Sequence, residues 1–354
     1  MVSHNTPSFT TASCPVPLPH NAQIVMGHGS GGRMTRDLIN QVFKPLFSNS
    51  FLDAGNDFAS LPVPNGELVI STDNHVVSPL FFPGGDIGRL AVCGTVNDIA
   101  VSGANPLYLT AGFILEEGLS IETLGCIVES MREACEESGV KIISGDTKVV
   151  EKGRCDGLYI NTTGIGWKPV DLCIHGANAR PGDSVLITGT VADHGMAVLS
   201  ARGELALESE IQSDVSPLNG LVVDLLKAAP GVHVLRDPTR GGLATTLNEI
   251  ALQSNCEIIL DEKTIPITRP VKTCCEMLGF DPLYVANEGK LVIILPSEQV
   301  QSALDALWKH PFGRNSALIG SISEKVNPRV LLKTLIGGTR ILDMLSGEML
   351  PRIC

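Results

Sequence analysis

Hydrophobic and polar positions along this chain change period repeatedly, and the changes divide it into short strands and helices. "ELVISTDNH" is an apolar, β-rich run whose pattern ends in a polar turn at Thr72-Asp73. "IGRLAVCGTVNDIAVSGA" follows, with Leu90, Val92, Val96, Ile99 and Ala100 at roughly helical spacing. "PLYLTAGFIL" reads as a strand. "IETLGCIVESMREACEESG" reads as an amphipathic helix, with Glu and Arg on its wet face and Gly139 as its stop. "VKIISGDTKVV" reads as strand, turn, strand, and "GLYINTTGIGW" closes the first half. Turn-forming residues then cluster in "WKPVDLCIHGANARPGD", which marks a domain boundary.

The second half opens on "SVLITGTVADHGMAVLSARG", a strand followed by a helix. "NGLVVDLLKAA" is helical, and in "HVLRDPTRGGLATTLNEIALQS" a helix begins after the glycines, with Leu243, Leu247, Ile250 and Ala251 on one face. "GKLVIILP" is a buried strand and "SEQVQSALDALWKH" a helix; after "RVLLKT" the pattern decays. The expected organisation is a loose leader over residues 1–20, an N-terminal domain over 21–168, a C-terminal α/β domain over 169–335, and a mobile tail over 336–354. Extended, such a tail could span up to ~60 Å. The fold class is α/β (α+β) in two domains.

Composition narrows the function. The chain has 354 residues, 44% apolar and 18% charged, which is globular and large enough for two cores. A formal net charge of -12 argues against a nucleic-acid partner, which needs clustered Lys and Arg. No run is long and apolar enough to span a membrane, and the first twenty residues lack the basic start and apolar core of a signal peptide. The ten cysteines contain no C-x-x-C pair. Neighbours such as Val92 and Ile127 suggest buried thiols behaving as small hydrophobes, a pattern that fits a reducing cytoplasm. Cys274-Cys275 reads as packing before redox chemistry. Cys354 stands apart: it ends the sequence in "PRIC", with no core to belong to.

Five aspartates lie beside apolar runs or in glycine-rich turns: Asp57, Asp73, Asp98, Asp146 and Asp237. One Asp in a turn usually bonds its own backbone. Five converging would concentrate negative charge that only cations tolerate. Oxygen-only ligands suit Mg²⁺, which bridges carboxylates to phosphates, so the implied ligand is Mg-ATP. No G-x-x-x-x-G-K-[ST] cradle is present. "GHGSGG" at 27–32 formally matches the dinucleotide fingerprint, with Asp53 near the distance of a ribose-binding acid, but no second strand precedes that acid. A loop folded over phosphates through Gly31 and Gly32, with Arg33 on anions, is the better reading. Lys148 is either a surface lysine among acids or a stabiliser of a developing oxyanion. Glu288 is either a capping glutamate or a site residue before a buried strand, and His28 and His194 are either turn or site residues.

Together, the stretches "HGSGGRMTRDLI", "DAGNDFASL", "STDNHVVSPLFFPGGDIGRLAVCGTVNDIAVSGANPLYLTAGFILEEG", "SGDTKVVEKG", "LRDPTRGGLATTLNEIA", "YVANEGKLV" and the terminal "PRIC" resemble the HypE family of hydrogenase maturation proteins. The resemblance runs from about Gly27 to the last residue. It implies the two-domain ATP-binding fold of aminoimidazole ribonucleotide synthetase, a homodimer, and a carbamoyl dehydratase. In that family a carbamoyltransferase, HypF, loads the terminal cysteine; ATP converts the thiocarbamate to a thiocyanate, and cyanide passes to iron on a HypC–HypD complex. Carried over by motif, Asp57, Asp73, Asp98, Asp146 and Asp237 become Mg-ATP ligands. Gly31, Gly32, Thr72, Asn97, Gly145 and Thr147 become nucleotide contacts. Cys354 becomes the carrier, and Lys148 and Glu288 the groups that stabilise and deprotonate the carbamoyl group. The alternatives are another Mg-ATP-dependent kinase or synthetase of the superfamily, which leaves "PRIC" without a purpose, and a non-catalytic assembly factor.

Overall fold

Glu67–His75 forms one uninterrupted strand, β1, so Thr72 and Asp73 lie inside a strand and not in the turn their polarity suggested. Asp73 is tolerated there because it faces a neighbouring helix that supplies it with a hydroxyl donor. The structure is a computed structural model that describes residues 23–30, 33–53, 61, 65–202, 210–345, 350, 352 and 353. The expected leader, Gly31, Gly32, Asp57 and Cys354 lie outside these residues, as does the side chain of Arg33.

A small ribbon of β2 (Phe81–Phe82) and β3 (Gly85–Asp86) follows β1. Asp86 caps the helix Ile87–Ala100, accepting the N–H groups of Gly88 at 2.7 Å and Arg89 at 3.2 Å. That helix is buried nearly all round. Its polar residues Thr95, Asn97 and Asp98 are therefore held at internal surfaces, where each must find a partner. Next come β4 (Asn105–Glu116), the helix Ile121–Ser138, β5 (Lys141–Val150) and β6 (Leu158–Lys168). Ser120 caps the second helix, and Gly139 ends it at φ 76°, a left-handed geometry that favours glycine. β5 is also continuous; the turn expected at Gly145-Asp146 is absent because the segment pairs in parallel with β4 along its length.

The four long strands form one sheet in the order β1-β6-β4-β5. One face packs against the two helices. The other carries Leu68 (48% exposed), Ile70 (65%) and Ile114 (43%).

The second half builds a seven-stranded sheet in the order β13-β12-β9-β11-β7-β10-β8. Its strands are β7 (Asp183–Ile187), β8 (Val234–Arg236), β9 (Glu257–Asp261), β10 (Val292–Pro296), β11 (Ala317–Ile322), β12 (Arg329–Lys333) and β13 (Thr339–Leu342). Apolar clusters on both faces explain why β7 and β10 read as unbroken hydrophobic runs. Residues 339–342, expected in the tail, instead pair with β12 as an edge strand.

The helix Asp193–Ala201 contributes Met196, Ala197, Val198 and Leu199 to the core of the first half, although it follows a strand of the second. The joint is polar as well. Asn97 Nδ2 donates to Ser216 O at 3.0 Å and Glu288 O at 3.4 Å, while its Oδ1 accepts from Leu218 N at 2.8 Å. Eight cysteines are described and all are free; Cys93, Cys135, Cys256, Cys274 and Cys275 are buried. Cys126 is exposed, because the helical period that buries Ile127 turns its neighbour outward.

Candidate active site

Three of the five aspartates meet where the joint, β1 and the loop after β8 converge. Ser71 Oγ donates to Asp98 Oδ2 at 2.6 Å, and Thr95 Oγ1 lies 3.2 Å from Asp73 Oδ2. Thr95 and Asp98 are three apart on one helix, so both reach the same strand. Behind them Thr162 Oγ1 sits 2.6 Å from Thr95 Oγ1 and 3.2 Å from His75 Nε2, and donates to Ala91 O at 3.1 Å. Burial, and then the positive charge of Arg240, pulls His75 down to about 4, so the ring is neutral at pH 7.

The acids act on one another. Burial first, then the charge of Asp98, pushes Asp73 up to about 6; Thr95 and Arg240 oppose the rise. Burial and Asp98 likewise push Asp237 up to about 7. Glu288 is 4% exposed. It is raised well above the ordinary glutamate value by burial, then by Asp214, Asp237, Asp73 and Asp98 in that order. Its Oε1 is buried without a hydrogen-bond partner, as is Thr245 Oγ1. A buried carboxyl oxygen left unpartnered costs about 1–3 kcal/mol, more when charged, unless a ligand satisfies it. A cleft of about 500 Å³ opens beside Asp98, Asp237, Arg236, Arg240 and Thr245.

The other expected residues lie elsewhere. Gly145, Asp146, Thr147 and Lys148 are on β5, the opposite edge of the sheet from β1. Three strand spacings separate the two edges, about 14 Å. There, Ser144–Thr147 border a cavity of about 190 Å³ walled by Ile39, Phe43, Phe47, Phe113 and Ile142. Thr72 turns to the uncovered face, accepting from Thr163 Oγ1 at 2.9 Å. Asn97 spends its amide on the joint. Sequence reasoning passed over Ser71, Thr95, Thr162, Asp214 and Arg240. Thr95 was findable from its helical spacing to Asp98, and Arg240 from its place in "DPTRGG"; Asp214 in "SDVSP" gives no signal of its own.

Among the described residues, no three His, Cys, Asp or Glu side chains could enclose a metal ion by themselves. Carboxylates that repel one another yet stop short of a closed cage suit a cation arriving with oxygens of its own.

Two polar half-sites on a two-domain α/β frame define a protein of the AIR synthase related class. The chain matches the N-terminal domain of that class over residues 55–167 and its C-terminal domain over 180–333. Within the class, the chain belongs to the HypE family. It is 53% identical over 335 residues to carbamoyl dehydratase HypE of Cupriavidus necator, covering 94% of this chain and 95% of that protein. It superposes on a crystal structure of hydrogenase maturation protein HypE in complex with ATP with a TM-score of 0.89, at 49% identity, covering 93% of this chain and 99% of that one. The HypE chain of a HypE–HypF complex superposes at 0.77, with 48% identity, covering 87% and 99%.

Proposed function

We propose that the chain is an ATP-dependent carbamoyl dehydratase that carries its substrate as a thiocarbamate on Cys354 and converts it to a thiocyanate. Family membership supports the activity. The observation that carries the site assignment is the meeting of Asp73, Asp98 and Asp237, whose charges all reach buried Glu288, a carboxyl with one unpartnered oxygen. The three aspartates would hold Mg²⁺ with the nucleotide phosphates, and the metal would screen charge as the phosphoryl group moves.

The amide oxygen of the thiocarbamate attacks the γ-phosphorus and ADP leaves. Loss of one N–H proton gives an imidoyl phosphate. Loss of the second proton and of phosphate, with cleavage of the C–O bond, leaves S–C≡N. Glu288 takes a proton: the surroundings that raise its affinity make it the strongest carboxylate acceptor in the site once it is ionised.

Lys148 and Asp146 face the same nucleotide only if a second copy supplies them. A homodimer that covers Leu68, Ile70 and Ile114 would set the β5 edge of one subunit over the β1 edge of the other. HypF would load Cys354, and a HypC–HypD iron complex would accept the cyanide. Among the described residues no helix is long and apolar enough to cross a membrane.

Intact-protein mass spectrometry after incubation with HypF, carbamoyl phosphate and Mg-ATP tests the reading. The expected result is a carbamoyl adduct that loses one water in the presence of ATP, both absent from Cys354→Ala. ATP turnover with no adduct on Cys354 would favour a small-molecule kinase or synthetase.

A further inference from the structure

His194 is a site candidate that the chemistry above leaves unused. It is fully buried, with Phe82 edge-on at 5.3 Å between ring centroids. Its Nε2 is hydrogen-bonded to the main-chain carbonyl of Ile353. A carbonyl only accepts, so Nε2 carries the proton. Its Nδ1 lies 2.8 Å from Ser213 Oγ. Ser213 Oγ already accepts from Val215 N at 3.2 Å, which leaves its own hydrogen to donate to Nδ1. Ser213 is tied by its N–H to Pro83 O at 2.7 Å, in the ribbon of the first domain. The tautomer and the direction of the imidazole are thus both fixed, and they are aimed at the end of the chain.

Other donors converge on the same segment. Ser78 N donates to Arg352 O at 3.1 Å, and an Arg202 guanidinium nitrogen donates to the same oxygen at 2.8 Å. Arg202 Nε also donates to Ser78 O at 2.9 Å, which ties the two donors together. Ile353 forms a β-bridge with Val77, and Leu350 and Ile353 are buried. Arg352 adopts φ 55°, a left-handed turn that a non-glycine residue keeps only when its surroundings hold it. Its side chain reaches outward to Asp156.

We infer that His194 and Arg202 form a dock for the end of the chain that grips the main chain of Arg352 and Ile353. The dock fixes how many residues lie beyond its last contact, and so positions the carrier cysteine by register. His194 and Arg202 are positioning residues. The purpose of the dock rests on the proposed role of Cys354; the dock itself does not.

Trypsin cleavage after Arg352 reads it directly, since the scissile carbonyl is the one held by Ser78 and Arg202. In the full-length chain, loss of the last two residues by intact mass is compared with cleavage after Arg154, in the exposed turn between β5 and β6, as internal reference. Expected is slow cleavage at Arg352 in the native chain. His194→Leu and Arg202→Ala should each accelerate it about tenfold, the factor for one lost hydrogen bond, at an unchanged Arg154 rate. His194→Gln, which returns a donor near the Nε2 position, should restore protection. If His194→Leu does not fold, Arg202→Ala decides. Native cleavage at Arg352 as fast as at Arg154, or equal rates in all variants, overturns the dock.

A second arm inserts one glycine between Ile353 and Cys354, moving the thiol by up to about 3.5 Å. Dehydration of the loaded chain should fall about a hundredfold with the Arg352 protection unchanged. Undiminished dehydration overturns the register argument. A protected tail whose loaded cysteine is not dehydrated even in the native chain overturns the proposed function and leaves the dock standing.

Discussion

Asp214 holds Glu288 by its main chain: Oδ1 accepts from Glu288 N at 3.1 Å, and Oδ2 accepts from Gly289 N at 3.0 Å. The approach is close enough that a Cβ on Gly289 would lie 1.8 Å from Asp214 O. Lys290 Nζ stands 3.3 Å from the same carboxylate. The Glu288 backbone is thereby fixed in place beside a negative charge that opposes ionisation of its side chain.

Asp214→Asn removes that charge and one acceptor. With less repulsion, Glu288 ionises at lower pH. The acid limb of the kcat–pH profile should move to lower pH while kcat at the plateau falls, because the Glu288 loop loosens. Burial favours the neutral Asp214, but Lys290, His194 and the two N–H groups outweigh it and hold the carboxyl below 3.8. A lowered carboxyl stabilises the fold above its unfolded value and loses that contribution as pH falls through its folded value. The asparagine variant should therefore be less stable by about 3 kcal/mol at pH 7, and the deficit should shrink as pH falls below 3.8 towards the lowered folded value. Chemical denaturation at pH 7 and pH 3 measures it.

Asp237→Asn should act oppositely on stability. A carboxyl raised from 3.8 to about 7 disfavours the fold once the unfolded chain ionises, so the native chain loses stability as pH climbs from about 3.8 to about 7 and holds at the lower level above that. The variant should melt higher than the native chain at pH 8, with a smaller advantage at pH 5, where the native carboxyl is already neutral. Mg-ATP should raise the melting temperature of the native chain at pH 8 and not that of the variant, whose turnover should be lost. An equal advantage at both pH values would mean that neither burial nor Asp98 raises the Asp237 carboxyl.

Asn97→Ala deletes three of the hydrogen bonds that join the domains and leaves Leu218 N, Ser216 O and Glu288 O unsatisfied in a buried place. A loss of about 2–4 kcal/mol is expected by urea denaturation. Asn97→Asp should be at least as damaging. A carboxylate cannot donate to Ser216 O, and it adds a further charge near Asp98.

If two copies share each site, Asp73→Asn and Lys148→Ala should each be inactive alone and should complement on mixing. Random exchange makes half of the dimers mixed, each with one intact site of two, so about a quarter of native turnover should return. Ile70→Asp should give a monomer by analytical ultracentrifugation and abolish complementation. Activity in the monomer would place the whole site within one chain.

The legible parts were those with a local cause. The helix over Ile87–Ala100 follows from apolar spacing, and the stop at Gly139 from a left-handed turn. The packing of Cys274 and Cys275 matches the reading of both as small hydrophobes. Polar residues inside strands were misread. Asp73 and Asp146 looked like turn residues because β-propensity counts a lone acid against a strand, whereas the partners on either side decide.

By itself, the sequence determined the order of strands and helices, the stretches that mark the HypE family, and a cysteine in the "PRIC" stretch. Each of these is written in residues close together along the chain. Only the tertiary structure decided that Asp73, Asp98, Asp237 and Glu288 meet while Asp146 and Lys148 stand at the far edge of the sheet, and that His194 faces Ile353. Side-chain period tells which face of a strand a residue occupies. It does not tell which strands become neighbours, and the order β1-β6-β4-β5 is set by long-range packing around one buried helix.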